Sequence, residues 1–182
     1  NNTSLYTMAL SDGNTGLSRN GEQVFRGLGV AAFAEYVVTQ ETGAVKIDPD
    51  FPLELACLMG CALQTGIGAV LNTADVETGA RLIIMGLGGV GMAAVQGARL
   101  AGASVILASD PLEERRELAK AFGATHVIDP MTEDVHARCL ELTDNIGMDY
   151  AFETAGIAKL VETGIEITRP GGATICVGAA PL

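Results

Sequence analysis

The clearest pattern along the chain begins at residue 81, where RLIIM (81–85) is a continuous apolar run followed by glycines and an alanine-rich stretch. Apolar runs of this length bounded by turn residues predict strands, and the alanine-rich stretch predicts a helix over 90–101. The alternation then repeats, with SVILAS (104–109), HVID (126–129), DYAFE (149–153) and ATICVG (173–178) reading as strands. Between them, 112–122, 132–142 and 157–168 read as helices, the first of these closed by Gly123. Five strands therefore alternate with four helices. Strands without polar alternation are buried on both faces, which predicts an α/β fold with a doubly wound parallel sheet of Rossmann type.

The first third of the chain reads differently. Residues 1–30 are polar and glycine-rich, and Asp12-Gly13 and Asn20-Gly21 are hairpin-turn dipeptides. FAEYVV (33–38) and AVKI (44–47) read as short strands. Asp50-Phe51-Pro52 opens a helix over about 53–60, with Asp50 or Phe51 at the cap and Pro52 in the first turn. A second helix is expected over 65–73. Leu55–Ala74 is uncharged for twenty residues. Its Gly60, Gln64, Thr65, Gly66, Gly68, Asn72 and Thr73 are too polar for hydrocarbon, so buried helices are expected there and no membrane anchor.

Composition narrows the classes of function. Among 182 residues, 22 Asp and Glu outweigh 11 Lys and Arg, a formal net charge of -11. That balance argues against a nucleic-acid backbone or an anionic membrane surface as partner. A hydrophobic fraction of 48% is enough for a core, and 23 glycines with no Trp fit α/β layers joined by tight turns. The four cysteines, Cys57, Cys61, Cys139 and Cys176, form no C-x-x-C pair and no disulfide framework, so a reducing cytoplasmic setting is expected. The chain opens on Asn1 without a signal sequence, which predicts a processed or truncated N-terminus.

Candidate chemistry concentrates where the first long strand ends. Gly86-Leu87-Gly88-Gly89-Val90-Gly91 matches G-x-G-x-x-G between a strand and a helix, the context the motif needs. Gly86 permits the tight turn, Gly88 lets the backbone approach a pyrophosphate, and Gly91 clears the space where helix meets strand. The next strand ends at Asp110, 22 residues beyond Gly88, where a carboxylate can accept both ribose hydroxyls and repel a 2′-phosphate. NAD is therefore expected in preference to NADP. The same residues admit a glycine-rich structural turn or an S-adenosylmethionine site. Arg115 and Arg116 stand close to the ribose acid in sequence, and Arg116 reads as part of a solvated helix face.

FAEYVV, AVKID, the run from Pro52 to Asp110, GATHVIDP, DYAFETAG and RPGGATICVGAAP occur in order. Together they resemble the zinc-dependent medium-chain alcohol dehydrogenases over nearly the whole chain. The members most alike oxidise primary alcohols or thiol adducts of formaldehyde. The G-C-x-x-x-T-G segment at 60–66 is the most specific element. The resemblance implies that Cys61 is a ligand of a catalytic zinc and that Thr65 lies beside the nicotinamide. It implies that Gly86, Leu87, Gly88, Gly89, Val90 and Gly91 hold the pyrophosphate, with Val90 also near the nicotinamide. Asp110 would hold the adenosine ribose, Arg115 would touch the same ribose, and Val177 and Gly178 would meet the nicotinamide amide. NAD and zinc are the implied cofactors, a small alcohol or aldehyde the implied substrate, and a homo-oligomer the implied state of the intact protein.

The family's other zinc ligands, its structural zinc loop and its sixth strand have no counterpart in this sequence. His126 and His136 lack metal-ligand spacing to Cys61, and Cys57, Cys139 and Cys176 read as structural. The expectation is a fragment. Residues 1–62 would be a strip of the mainly β, GroES-like catalytic domain, and 63–182 an NAD-binding domain incomplete at its C-terminal end. Such a piece would bind NAD at most and would not turn over an alcohol. Two other readings remain: a zinc-free quinone or enoyl reductase of the same superfamily, against which Cys61 and Asp110 both speak, and a non-catalytic dinucleotide-binding module.

Overall fold

The computed structural model describes residues 9, 12–39 and 41–179. The chain divides into two compact units, Asn1–Phe51 and Pro52–Leu182. A boundary at 62/63 would fall inside a helical run of the second unit.

In the first unit, Asn20 and Gly21 both take positive φ, 54° and 83°, the geometry a tight hairpin turn requires. They join β1 (Ser18–Arg19) to the antiparallel β2 (Glu22–Gln23). The strands expected at 33–38 and 44–47 are not formed. Phe33, Tyr36, Val38 and Val45 are all exposed, and among the described residues no neighbouring strand meets this segment. A β-prone pattern without a partner edge leaves its backbone groups to solvent, and the segment stays irregular.

The second unit opens with α1, a continuous helical run from Leu53 to Thr73. The helix begins at Leu53 as expected, but Pro52 is its N-cap and not a first-turn residue, and neither Asp50 nor Phe51 caps it. The two expected helices merge because Met59–Leu63 and Ala69–Thr73 widen into π turns instead of breaking. The expectation of buried helices also fails: Leu53, Leu55, Leu58 and Met59 are exposed. Only a narrow stripe around Gly66, Ala69 and Val70 is buried among the described residues. With 21 residues and a mean hydropathy of 1.5, α1 is long and apolar enough to cross a membrane by length and composition.

The remainder follows the predicted alternation closely: β3 (Arg81–Met85), α2 (Gly89–Ala101), β4 (Val105–Ser109), α3 (Glu113–Phe122), β5 (His126–Ile128), α4 (Val135–Glu141), β6 (Met148–Glu153), α5 (Ala158–Ile167) and β7 (Thr168–Cys176). The strands pair in parallel in the order β5-β4-β3-β6-β7, with Ile83 opposite Leu107 on one side and Ala151 on the other. Central β3 carries Leu82, Ile83, Ile84 and Met85, none more than 1% exposed. Burial on both faces makes each such side chain contribute about 1.5–3 kcal/mol. Gly102 and Gly123, at φ 77° and 121°, end α2 and α3, and the Asp134 carboxylate caps α4 by accepting the Ala137 N–H.

The end of the sheet away from the glycine loop is tied by charge. The Asp149 carboxylate accepts hydrogen bonds from the Arg169 Nε and from the Arg81 backbone N–H. Burial alone would raise its pKa, but Arg169 and Arg81 outweigh that and hold it below the ordinary carboxylate value of 3.8. A carboxyl whose folded pKa is depressed adds stability above its unfolded pKa and loses it as pH falls through the folded one. Asp149→Asn should therefore lower stability by about 1 kcal/mol at pH 7, a figure held down by solvent around Arg169. Urea titrations should show that difference shrinking as pH falls below 3.8 and disappearing once Asp149 is protonated in the folded chain as well.

Candidate functional site

The chain leaves β3 toward β4 on one side and returns to β6 on the other, which opens a crevice at the C-terminal ends of these strands. Gly86 turns the chain at φ 94°, and a Cβ there would fall 2.8 Å from the Ala155 Cβ. Gly88 is the N-cap of α2 in extended conformation; no side chain caps this helix, and a Cβ on Gly88 would meet nothing within 4 Å. Open space at an uncapped helix N-terminus is where an anionic group can reach backbone N–H donors. Gly91 answers to packing, since its Cβ would lie 1.9 Å from the Gly86 carbonyl oxygen. Leu87 turns its side chain into the core, and Val90 is half-buried.

Asp110 follows the last residue of β4 and is 2% exposed. Its Oδ2 accepts the Leu87 N–H at 2.8 Å and its Oδ1 the Leu112 N–H at 2.9 Å. Arg115 Nη1 lies 3.4 Å from Oδ2 on a half-exposed side chain. Arg116 is not the solvated residue the sequence suggested. Its side chain is 14% exposed, donating to the Asp110 carbonyl at 2.7 Å and pairing with Asp129 at 3.3 Å. It fastens the end of β4 to the end of β5.

Gly86, Gly88, Asp110 and Arg115 line one cavity of about 550 Å³, with Leu112, Pro130 and Ile157 as apolar walls. Thr65 and Val177 line a second of about 450 Å³, together with Gln64, Asn72 and Cys176. The first matches a nucleoside in size and character, with apolar walls and one carboxylate at its rim. Gly178 packs against the backbone of Gly156. Cys61 is exposed on α1 and lines neither cavity.

Two contributors were not legible in the sequence. Thr154 donates from Oγ1 to the Gly86 carbonyl at 2.6 Å, fixing the glycine turn from the neighbouring strand's loop. Gly66, the last residue of the G-C-x-x-x-T-G segment, brings α1 against α2: a Cβ there would fall 2.2 Å from the Val90 carbonyl oxygen. Spacing alone reveals neither, because each acts on backbone distant in the chain.

The cysteines divide by environment. Cys139 is buried, and burial followed by the charge of Asp134 pushes its thiol up to about 12. Cys57 and Cys176, expected to be structural, are exposed along with Cys61. A thiol reagent at pH 8 should therefore titrate three groups in the native chain and all four in denaturant. Among the described residues no three His, Cys, Asp or Glu side chains are placed to hold a metal ion. Cys61 is a single candidate donor, and a zinc site needs at least three from protein, so the described residues do not form one.

Five parallel strands in this order, with a glycine turn and an acid at the switch point, define the Rossmann-type α/β class. The chain belongs to the zinc-binding dehydrogenase family, whose model matches residues 89–182, and within it to the zinc-type medium-chain alcohol dehydrogenases. It is 39% identical over 180 residues to S-(hydroxymethyl)glutathione dehydrogenase of Paracoccus denitrificans, covering 94% of this chain and 48% of that protein. Among solved structures, an alcohol dehydrogenase zinc-binding domain protein from Burkholderia ambifaria superposes with a TM-score of 0.89 at 38% identity, over 98% of this chain and 49% of that one. Benzyl alcohol dehydrogenase from Acinetobacter calcoaceticus gives 0.85 at 36% identity, over 95% and 46%. The chain spans about half the length of the curated relatives it matches.

Proposed function

We propose that this chain carries the coenzyme half of an NAD-dependent alcohol dehydrogenase, taking a primary alcohol or a thiol adduct of formaldehyde as substrate. The observation that carries the reading is the shared cavity, in which the buried Asp110 carboxylate faces the open approach at Gly88. In this reading the N-terminus of α2, from Gly88 to Gly91, holds the pyrophosphate through backbone N–H groups and the helix dipole. Asp110 takes the adenosine ribose. Its Oδ1 accepts one backbone N–H and keeps a lone pair free for a ribose hydroxyl. Its Oδ2 accepts the Leu87 N–H and a long 3.4 Å contact from Arg115 that a second hydroxyl would displace. Arg115 borders the same ribose, while Thr65, Val90, Val177 and Gly178 bound the nicotinamide. The nicotinamide, when bound, supplies the hydride acceptor, and the fold's task is to orient its ring and exclude water from it.

Cys61 is the donor this chain would offer to a catalytic zinc, with the remaining donors not among the described residues. A reducing cytoplasmic compartment and a homo-oligomeric whole protein belong to the same reading. Its likeness to S-(hydroxymethyl)glutathione dehydrogenase and to benzyl alcohol dehydrogenase supports the substrate class.

The test is a calorimetric titration of the full chain with NADH and NADPH. Saturable binding of NADH is expected, with NADPH at least roughly tenfold weaker, because a 2′-phosphate would face the Asp110 carboxylate. Absence of saturable NADH binding at millimolar concentration would sink the reading.

A further inference from the structure

Glu153 ends β6 and is 1% exposed, a carboxylate in a strand otherwise chosen for burial. Its Oε1 accepts three successive backbone N–H groups, from Ala155 at 2.8 Å, Gly156 at 2.7 Å and Ile157 at 3.2 Å. These N–H groups belong to the turn ahead of α5, whose N-cap is Ile157. Three successive N–H groups converging on one oxygen make a backbone concavity suited to an anion, here filled by a side chain. Its other oxygen abuts the turn after β7, where a Cβ on Gly178 would fall 2.7 Å from Oε2. The Glu153 carbonyl accepts the Val177 and Gly178 N–H groups at 2.8 and 3.0 Å.

Both segments border the crevice. The 154–157 turn carries Thr154, which bonds the Gly86 carbonyl, and Ala155, which abuts Gly86 itself. The turn after β7 begins at Val177, in the wall of the cavity that also holds Thr65. One buried side chain thus sets the wall beside the glycine turn and touches the wall beside Thr65.

We infer that Glu153 is a positioning residue for the dinucleotide. Its carboxylate acts as a built-in anion, holding the 154–157 turn against Gly86 so that the glycine loop keeps the shape an incoming pyrophosphate needs. It touches no part of the coenzyme and acts through backbone. The inference rests on the coenzyme reading above, but the anion cradle itself can be tested without NADH.

The experiment uses the full chain with Glu153→Ala and Glu153→Gln, measuring NADH affinity and thermal midpoint in sodium formate and in sodium chloride of equal ionic strength. In chloride, Glu153→Ala should bind NADH roughly tenfold more weakly or worse, since three charge-assisted bonds are lost. Formate, a carboxylate small enough for the vacated space, should restore most of that affinity and raise the midpoint, while chloride does neither. Glu153→Gln, which keeps a neutral acceptor, should lose about threefold in affinity with a near-native midpoint. NADH affinity within twofold of wild type for Glu153→Ala, or equal responses to formate and chloride, would overturn the inference.

If the wild-type chain itself binds no NADH, the coenzyme reading fails, and a formate-specific rise in the Glu153→Ala midpoint still supports the cradle; no rise overturns it. If Glu153→Ala folds in neither salt, Glu153→Gln decides, unchanged NADH affinity overturning the inference and weakened affinity at a near-native midpoint supporting it.

Discussion

Gly91→Ala should lower the thermal midpoint by roughly 3–10 °C and abolish measurable NADH binding. The added methyl would sit 1.9 Å from the Gly86 carbonyl oxygen and 2.9 Å from Thr154 Oγ1. Neither neighbour is free to give way. The carbonyl is held by the Thr154 hydroxyl, and the Gly86 N–H is bound to Ser109 O at 2.9 Å. The first turn of α2 must therefore retreat from β3, which at the usual cost of overpacking a close-packed interior is about 1–3 kcal/mol. The same retreat withdraws the helix N-terminus from the crevice. Gly88→Ala separates the two effects, because its methyl meets nothing within 4 Å. That variant should melt like the wild type and still lose NADH, its methyl occupying the approach of the pyrophosphate. Scanning calorimetry with an NADH titration reads both quantities, and a Gly91→Ala chain with a native midpoint would show that the close contact is not obligatory.

The second large effect is expected at Asp110. Asp110→Ala removes the acceptor for the buried Leu87 N–H and for Leu112, which should lower stability by about 1–3 kcal/mol. NADH affinity should fall ten- to hundredfold with the lost bonds to ribose. Arg115 stays in the cavity and loses its partner carboxylate, so the NADPH-to-NADH affinity ratio should shift toward NADPH by about tenfold or more. Asp110→Asn keeps one acceptor oxygen and should recover much of the stability without recovering the selectivity. An unchanged ratio in both variants would remove Asp110 from the ribose site.

The α/β alternation was legible because strands buried on both faces show as apolar runs whatever their neighbours. The glycine loop and Asp110 were legible because their spacing encodes a local turn and the length of one βαβ unit, and they do line a single cavity. Elsewhere the sequence was silent for physical reasons. FAEYVV shows that a segment could be a strand, but a strand exists only with an edge to pair, and none is formed there. The gap expected between helices at 53–60 and 65–73 does not open, because the π turn over Met59–Leu63 carries α1 through it and Gly60 does not take positive φ. Thr154, Glu153 and Arg116 act on backbone atoms or on partners brought close only by the fold. A sharper reading of DYAFE had one clue available: a carboxylate closing an otherwise apolar strand must find donors when buried.

The strand order also has a temporal consequence. Arg81 pairs with Val105, 24 residues on, whereas Leu82 pairs with Tyr150, 68 residues on. Closing the longer loop costs about 0.9 kcal/mol more in chain entropy, so β3, α2 and β4 can assemble while β6 is still to arrive. During synthesis from the N-terminus, β3 waits with one side of its backbone unpaired and its apolar side chains only partly covered. The crevice wall supplied by Glu153 and Thr154 closes only when β6 arrives, and the wall at Val177 follows when β7 pairs onto β6. Newborn chains are thus most exposed to edge-to-edge association before Met148 is made, and competence to hold a nucleotide comes only with the final steps of folding.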